Sequence, residues 1–276
     1  MHKNRGRCAG IKLVAFIACM LIWVEFASAA DSGTLYGVRA AQQKLTFRSI
    51  DLGSLQPAQD KGSLAQGAQE RLAAIFQNSD RSIGLVRIST NELTPRKALV
   101  RMAGIPGVLV DASSSQIAGL ASAYAISSLL VPSSGTPLAL ISHYTDTPRY
   151  WLVRVDLAYG GVSALNIALH PAVRYAHMTQ CSNGRIYAIS MAAQGEVRLV
   201  EFDLKKLVVV RLAQLQIGDE PMREDVSDLA CGGGDQLYAL SDIQRPGNNS
   251  VFRIDLPSGG MTWVRDFDVD RFVFVR

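Results

Sequence analysis

Residues 185–190 have the sequence RIYAIS, and an aspartate follows sixteen residues after the tyrosine, within VEFDL at 200–204. The same pair of motifs recurs as QLYALS at 236–241 and FRIDL at 252–256. Each apolar run is short and is preceded by a polar, glycine-containing turn, which is typical of paired β-strands. The chain is therefore predicted to be built from repeats of β-strands.

Three further copies of the repeat precede these two. TLYGV at 34–38 leads to an aspartate after fifteen residues, and LALIS at 138–142 leads to one after eighteen. A degenerate copy has RLAAI at 71–75 and serine in place of the aspartate. The repeated strand anchors are Tyr36, Ala73, Leu138, Tyr187 and Tyr238, and the aspartates are Asp51, Asp156, Asp203 and Asp255.

Each unit contains four predicted strands in about 40–50 residues, which is the pattern of a propeller blade. We therefore predict an all-β, β-propeller-like domain of about five four-stranded blades. The interval from Ala73 to Leu138 is longer than the others, and we interpret it as an insertion around 104–124 or as a sixth, eroded blade. The first unit lacks a leading strand, which the strand predicted at 271–275 would supply.

The recurring side chains have structural interpretations. An aspartate at the end of a strand can accept hydrogen bonds from the backbone amides of the following turn. The recurring tyrosines are expected to pack between blades, with a stacking platform for a sugar or base as the alternative.

The first 29 residues predict export. A short basic segment precedes an apolar run at 11–24, and Ala27, Ser28 and Ala29 follow as a small-residue cleavage site. We predict a signal peptide over 1–29, cleavage after Ala29, and a single secreted or periplasmic domain over 30–276. An uncleaved anchor and a lipoprotein modified at Cys19 are the alternatives.

Two cysteines remain after the predicted cleavage, Cys181 and Cys231. They precede Tyr187 and Tyr238 by six and seven residues, so they occupy equivalent places in consecutive units. An even pair in an oxidising compartment favours a disulfide. Two buried free thiols are the alternative.

The units resemble the repeats of YVTN-type and quinoprotein-like bacterial β-propellers, in which a glycine turn, an aromatic strand and an aspartate-bearing strand recur in each blade. The resemblance extends over residues 34–275 and is clearest over 177–265. It implies a fold, because propellers include both enzymes and binding proteins.

Charge and composition narrow the function only by exclusion. Without the predicted signal, the chain has 24 basic and 23 acidic residues, which is unlike a nucleic-acid-binding protein. No membrane span is predicted after cleavage. Two tryptophans are too few for the repeated docking motifs of a quinone-cofactor propeller, so no cofactor is predicted, and no metal-ligand spacing is present.

No catalytic residue is predicted from the sequence. His143, His170 and His177 are the histidines beyond the signal, and no GxSxG motif accompanies them. We therefore predict a binding or scaffold propeller for an unknown protein or small-molecule ligand. The alternative is a hydrolase or lactonase with a site at the channel mouth, which would require His143 or His177 to lie in the channel beside a carboxylate.

The export prediction is tested by N-terminal sequencing of the exported protein. The sequence should begin at Ala30, or within two residues of it, because signal peptidase cuts after small residues. Exported protein that retains Met1 would contradict the prediction.

Overall fold

The structure is a computed structural model that describes residues 33–77, 83–89, 97–103, 110–116, 124–143, 149–156 and 161–275. The predicted signal peptide lies outside the described residues. The described residues form five four-stranded antiparallel sheets and a small hairpin. They contain no helix with the length and apolar character needed to cross a membrane.

The first three sheets, in chain order, are blades 1 to 3. Blade 1 has the strand order β22-β1-β2-β3, with β1 at Thr34–Ala41, β2 at Lys44–Asp51, β3 at Gln59–Ala65 and β22 at Arg271–Val275. Blade 2 comprises β4 at Glu70–Gln77, β5 at Ile83–Ser89, β6 at Lys97–Ala103 and β7 at Val110–Gln116. Blade 3 comprises β8 at Tyr124–Leu130, β9 at Leu138–His143, β10 at Tyr150–Val155 and β11 at Val162–Ala164.

The remaining strands form blades 4 and 5. Blade 4 comprises β12 at Val173–Gln180, β13 at Ile186–Ala192, β14 at Val197–Asp203 and β15 at Val208–Gln214. A hairpin of β16 at Gln216–Ile217 and β17 at Glu220–Pro221 leads to blade 5. Blade 5 comprises β18 at Asp228–Cys231, β19 at Leu237–Ser241, β20 at Ser250–Ile254 and β21 at Met261–Asp266.

Each blade has an innermost strand, which is the first strand given for it above. The innermost strand of each blade contacts the innermost strand of the next blade. These contacts run from β22 to β4, β8, β12, β18 and back to β22, so the five strands enclose a central channel. The apolar residues of neighbouring blades pack into shared clusters around this ring. The predicted all-β propeller is confirmed.

The ring closes through β22. This strand pairs antiparallel with β1, with Val275 opposite Thr34 and Arg271 opposite Val38. Phe272 and Phe274 are buried in the cluster shared with blade 5. The prediction that residues 271–275 complete the first blade is confirmed, and the pairing places β22 on the channel.

The second blade was assigned wrongly from the sequence. The repeat pattern predicts Ala73 in the second strand of its blade, but it lies in the innermost strand β4, and β5 is the second strand. The second strands start at 34, 83, 138, 186 and 237, so the repeat interval is 49, 55, 48 and 51 residues. No insertion or sixth blade is needed, since β7 in the long interval is the fourth strand of blade 2.

The error has a physical cause. Strand β5 carries Gly84 where an aromatic anchor was sought, and Phe76 of β4 lies directly opposite it. A Cβ added to Gly84 would come within 2.1 Å of the Phe76 ring. The aromatic ring of this blade thus comes from the first strand and packs over a glycine, an arrangement known to protect glycine positions in sheets.

Three of the four recurring aspartates hold turns through their carboxylates. Asp51 accepts a hydrogen bond from the Gly53 amide at 2.9 Å, and Asp255 accepts one from the Ser258 amide at 3.2 Å. Asp203 accepts the amides of Lys205 and Lys206 at 3.0 Å. The Lys206 amide is the main cause that holds the pKa of Asp203 below its ordinary value. Asp156 follows β10, and its amide donates to the Gly161 carbonyl.

The recurring tyrosines pack between blades. Tyr187 and Tyr238 are fully buried in two different clusters, and Tyr36 is half-buried. Burial raises the pKa of Tyr187, and the Arg185 guanidinium lies 5.3 Å from the centre of its ring.

Cys181 and Cys231 form a disulfide, with their Cα atoms 5.2 Å apart. Cys181 follows β12 and Cys231 ends β18, so the bond joins the innermost strands of blades 4 and 5. The predicted pairing of equivalent positions in consecutive blades is therefore present.

Thiol titration of the denatured, unreduced domain should detect no reactive thiol. The double variant Cys181→Ser/Cys231→Ser should lose up to about 4 kcal/mol of unfolding free energy, because the bond closes a loop of 50 residues in the unfolded chain. Denaturant unfolding measures the loss. Two titratable thiols per chain would contradict the disulfide.

Candidate functional site in the central channel

Two cavities occupy the channel, one at each end. The upper cavity, of about 380 Å³, is lined mainly by the beginnings of the innermost strands, and the lower cavity, of about 400 Å³, mainly by their ends. Four residues line both: Ala73 of β4, Ser127 of β8, His177 of β12 and Arg271 of β22. We call these four, together with Asp228 of β18, the waist of the channel.

Three of the waist residues lie where the pairing of the strands is irregular, and this irregularity sets the direction of their side chains. The register between first and second strand shifts at Ala73, at Ser127 and at His177, each of which has no partner in the ladder. Such β-bulges redirect a side chain that regular pleating would point elsewhere. His177 has a φ of 56°, in the left-handed region that non-glycine residues seldom adopt.

His177 lies beside a carboxylate. Its Nδ1 atom is 3.4 Å from Oδ1 of Asp228, and both side chains are at least nine-tenths buried. Asp228 accepts the amide of Leu229 through Oδ1 at 3.0 Å and the amide of Phe272 through Oδ2 at 2.9 Å. A buried carboxylate is tolerated when it is hydrogen-bonded in this way. The carboxylate thus links the innermost strands of blades 4, 5 and 1.

Arg271 completes the polar side of the waist. Its Nη1 donates to the carbonyls of Ser227 and Asp270, both at 2.7 Å, and its Nε donates to the Ala73 carbonyl at 3.4 Å. These neutral acceptors fix the guanidinium plane without cancelling its charge. No carboxylate in the described ranges lies within ion-pair distance of it.

The channel serines bond to the backbone. The Ser127 hydroxyl lies 3.2 Å from the carbonyls of both Leu140 and Tyr175, and Ser128 accepts the Met178 amide at 2.8 Å. Neither hydroxyl is hydrogen-bonded to His177 in the described structure. The arrangement therefore contains no serine activated by the histidine.

The rim of the upper cavity carries further charge. Arg174 and Asp225 form an ion pair there, and Arg71 lines the same cavity. Tyr150 also lines this cavity. Burial raises the pKa of Tyr150, and the nearby Arg174 partly offsets that increase. The phenol is therefore neutral and able to donate a hydrogen bond.

Of the residues that the sequence analysis considered as functional candidates, the structure places some in the channel and others outside it. None of the recurring tyrosines and aspartates lines either cavity. His143 stacks edge-on against Tyr124 at the end of β9, and His170 accepts the Ala172 amide in a turn. His177 alone of the three described histidines lies in the channel.

Asp228 and Arg271 were missed. His177 and Asp228 each precede the tyrosine of their unit by ten residues, and this shared position could have identified the pair. For Arg271 there was no such signal, because its place depends on the pairing of β22 with β1.

One group of potential metal ligands lies close together, but its chemistry does not favour metal binding. In the part of the chain that the structure describes, Cys181, Cys231 and Asp235 are the one cluster of possible ligand atoms. The two sulfurs are bonded to each other, so they are not thiolates, the form in which cysteine binds metals.

Comparisons with known proteins find solved structures of similar fold but no sequence relative of known chemistry. No family model matches the chain, and no curated protein matches it in sequence. An exo-β-1,3-galactanase from Clostridium thermocellum superposes with a TM-score of 0.52 at 11% identity, covering 85% of this chain and 59% of that one. A protein from Lactobacillus plantarum gives 0.48 at 10% identity, covering 90% and 100%.

A periplasmic gluconolactonase from Pseudomonas aeruginosa gives a TM-score of 0.42 at 12% identity, covering 86% of this chain and 68% of that one. Identities this low show similarity of fold alone. The chemistry of this chain must be inferred from its own residues.

Asp228→Asn should destabilise the fold. Both carboxylate oxygens accept backbone amides, so the new amide nitrogen must face a donor, at a cost of about 1–3 kcal/mol. Asp203→Asn is the control, because one oxygen takes both of its turn amides and can continue to do so. Thermal unfolding should show a clear loss for Asp228→Asn and little change for the control. Equal shifts would contradict this assignment.

Proposed function

We propose that this chain is an exported small-molecule-binding β-propeller whose ligand occupies the central channel. The observation that carries the proposal is the convergence of His177, Asp228 and Arg271 at the channel waist, between two cavities. Asp228 also links three blades, but that link does not require the histidine and the arginine at the waist, whose burial costs free energy.

The geometry of the channel supports a small ligand. Each cavity lies within the range of about 300–1,000 Å³ typical of ligand sites. Nε2 of His177 and Nη2 of Arg271 make no hydrogen bond to the described residues, while both side chains line both cavities. These atoms are available to a ligand that enters from either end.

The proposed compartment is extracellular or periplasmic. It rests on the predicted signal sequence over residues 1–29 and is supported by the disulfide, which persists in oxidising environments.

The second candidate is a hydrolase. A hydrolase site at the channel requires a histidine beside a carboxylate, and His177 lies beside Asp228 there. In this alternative, His177 would be the general base that activates a water molecule, with its tautomer fixed by Asp228.

Binding is tested by thermal-shift screening of the mature domain against sugars, organic acids, amino acids and nucleosides. Ligands that stabilise the wild type should bind at least tenfold more weakly to His177→Asn or to Arg271→Gln, as measured by calorimetry. Asparagine tolerates the left-handed backbone of this position, so the variant should fold. His143→Asn is the matched control, because His143 lies outside the channel. Hits whose affinity is unchanged in both His177→Asn and Arg271→Gln would contradict the proposal.

The hydrolase alternative is tested with the same variants on an ester and lactone panel. General-base catalysis contributes about 10²–10⁴-fold, so His177→Asn should lose that much activity and His143→Asn none. If the wild-type protein binds ligands but hydrolyses none of the panel, the binding function stands and hydrolysis of the tested substrates is excluded.

A further inference from the structure

We propose that the upper cavity binds small hydroxycarboxylates, with the carboxylate on Arg271 and the adjacent hydroxyl on His177. This inference rests on the channel binding proposed above and adds the chemical class of the ligand.

The charge of Arg271 calls for an anion. Its guanidinium is partly buried and is held by three backbone carbonyls, which orient it but leave its charge uncompensated. The remaining nitrogen, Nη2, donates to no group in the described part of the chain. A fixed, planar guanidinium with open donors is suited to a carboxylate.

The carboxylates near the channel are already engaged. Asp225 pairs with Arg174 at the rim, and Asp228 receives two backbone amides and faces His177. The described side chains that line the upper cavity include three arginines and one aspartate. Because Arg174 is paired with Asp225, the attraction for an anion rests on Arg271, for which the described residues supply no carboxylate within ion-pair distance.

His177 adds the requirement for a hydroxyl. Nδ1 lies 3.4 Å from the Asp228 carboxylate, and a ring that carries its single proton on that nitrogen leaves Nε2 as an acceptor. An acceptor repels a bare carboxylate but accepts a hydrogen bond from an alcohol. A ligand that carries an alcohol beside its carboxylate satisfies both residues.

Three matched probes test the inference by calorimetry: 2-hydroxyhexanoate, hexanoate and hexane-1,2-diol. The hydroxy acid should bind at least tenfold more tightly than the diol and more tightly than hexanoate. Arg271→Gln should weaken both acids at least tenfold, whereas His177→Asn should weaken the hydroxy acid and leave hexanoate nearly unchanged.

Arg265→Gln is the control for folding effects. Arg265 also donates to three backbone carbonyls, those of Asp51, Ser54 and Gln56, but it lines neither cavity. It should lose comparable stability without any change in affinity.

A diol that binds as tightly as the hydroxy acid, or unchanged acid affinity in Arg271→Gln, would overturn the hydroxycarboxylate class. If the diol binds and that binding is lost in His177→Asn, the channel site stands and only the anionic class fails. Failure of all three probes also overturns the class, while the library screen decides separately whether the channel binds ligands.

Discussion

The carboxylate of Asp228 is the point on which the channel depends. It is buried, it accepts the amides of Leu229 and Phe272, and it faces His177. One side chain therefore joins the innermost strands of blades 4, 5 and 1. The same contacts that hold the ring together also fix the orientation of the histidine, so the stability of the propeller and the geometry of its candidate site share one interaction.

Around that carboxylate, the site is built from departures from regular β-structure. Ala73, Ser127 and His177 each lie at a break in the strand register, and His177 has a left-handed backbone. Backbone strain of this kind costs of order 1–3 kcal/mol and persists only where the surroundings enforce it. Here the disulfide between blades 4 and 5 lies on the same two innermost strands, beyond His177 and Asp228.

The sequence predicted the repeat because its signals are local. Glycine turns, tyrosine strands and turn aspartates recur at a spacing set by the blade, and the disulfide followed from equivalent positions in two units. Blade 2 was misassigned because Gly84 replaces the aromatic residue and Phe76 supplies the ring from the neighbouring strand. His177 was a candidate, but its partners were missed, because its contact with Asp228 joins two blades and Arg271 reaches the channel only through long-range pairing.

That long-range pairing also sets an order of events during synthesis. Strands β1 and β22 lie about 240 residues apart in the chain, and contacts of such separation form slowly. Until β22 emerges, β1 presents an open edge, the Phe272 amide cannot reach Asp228, and the channel lacks its arginine. An unfinished chain is thus both prone to aggregate and unable to hold a ligand in the channel. The ligand affinity proposed above would first appear when β22 is in place.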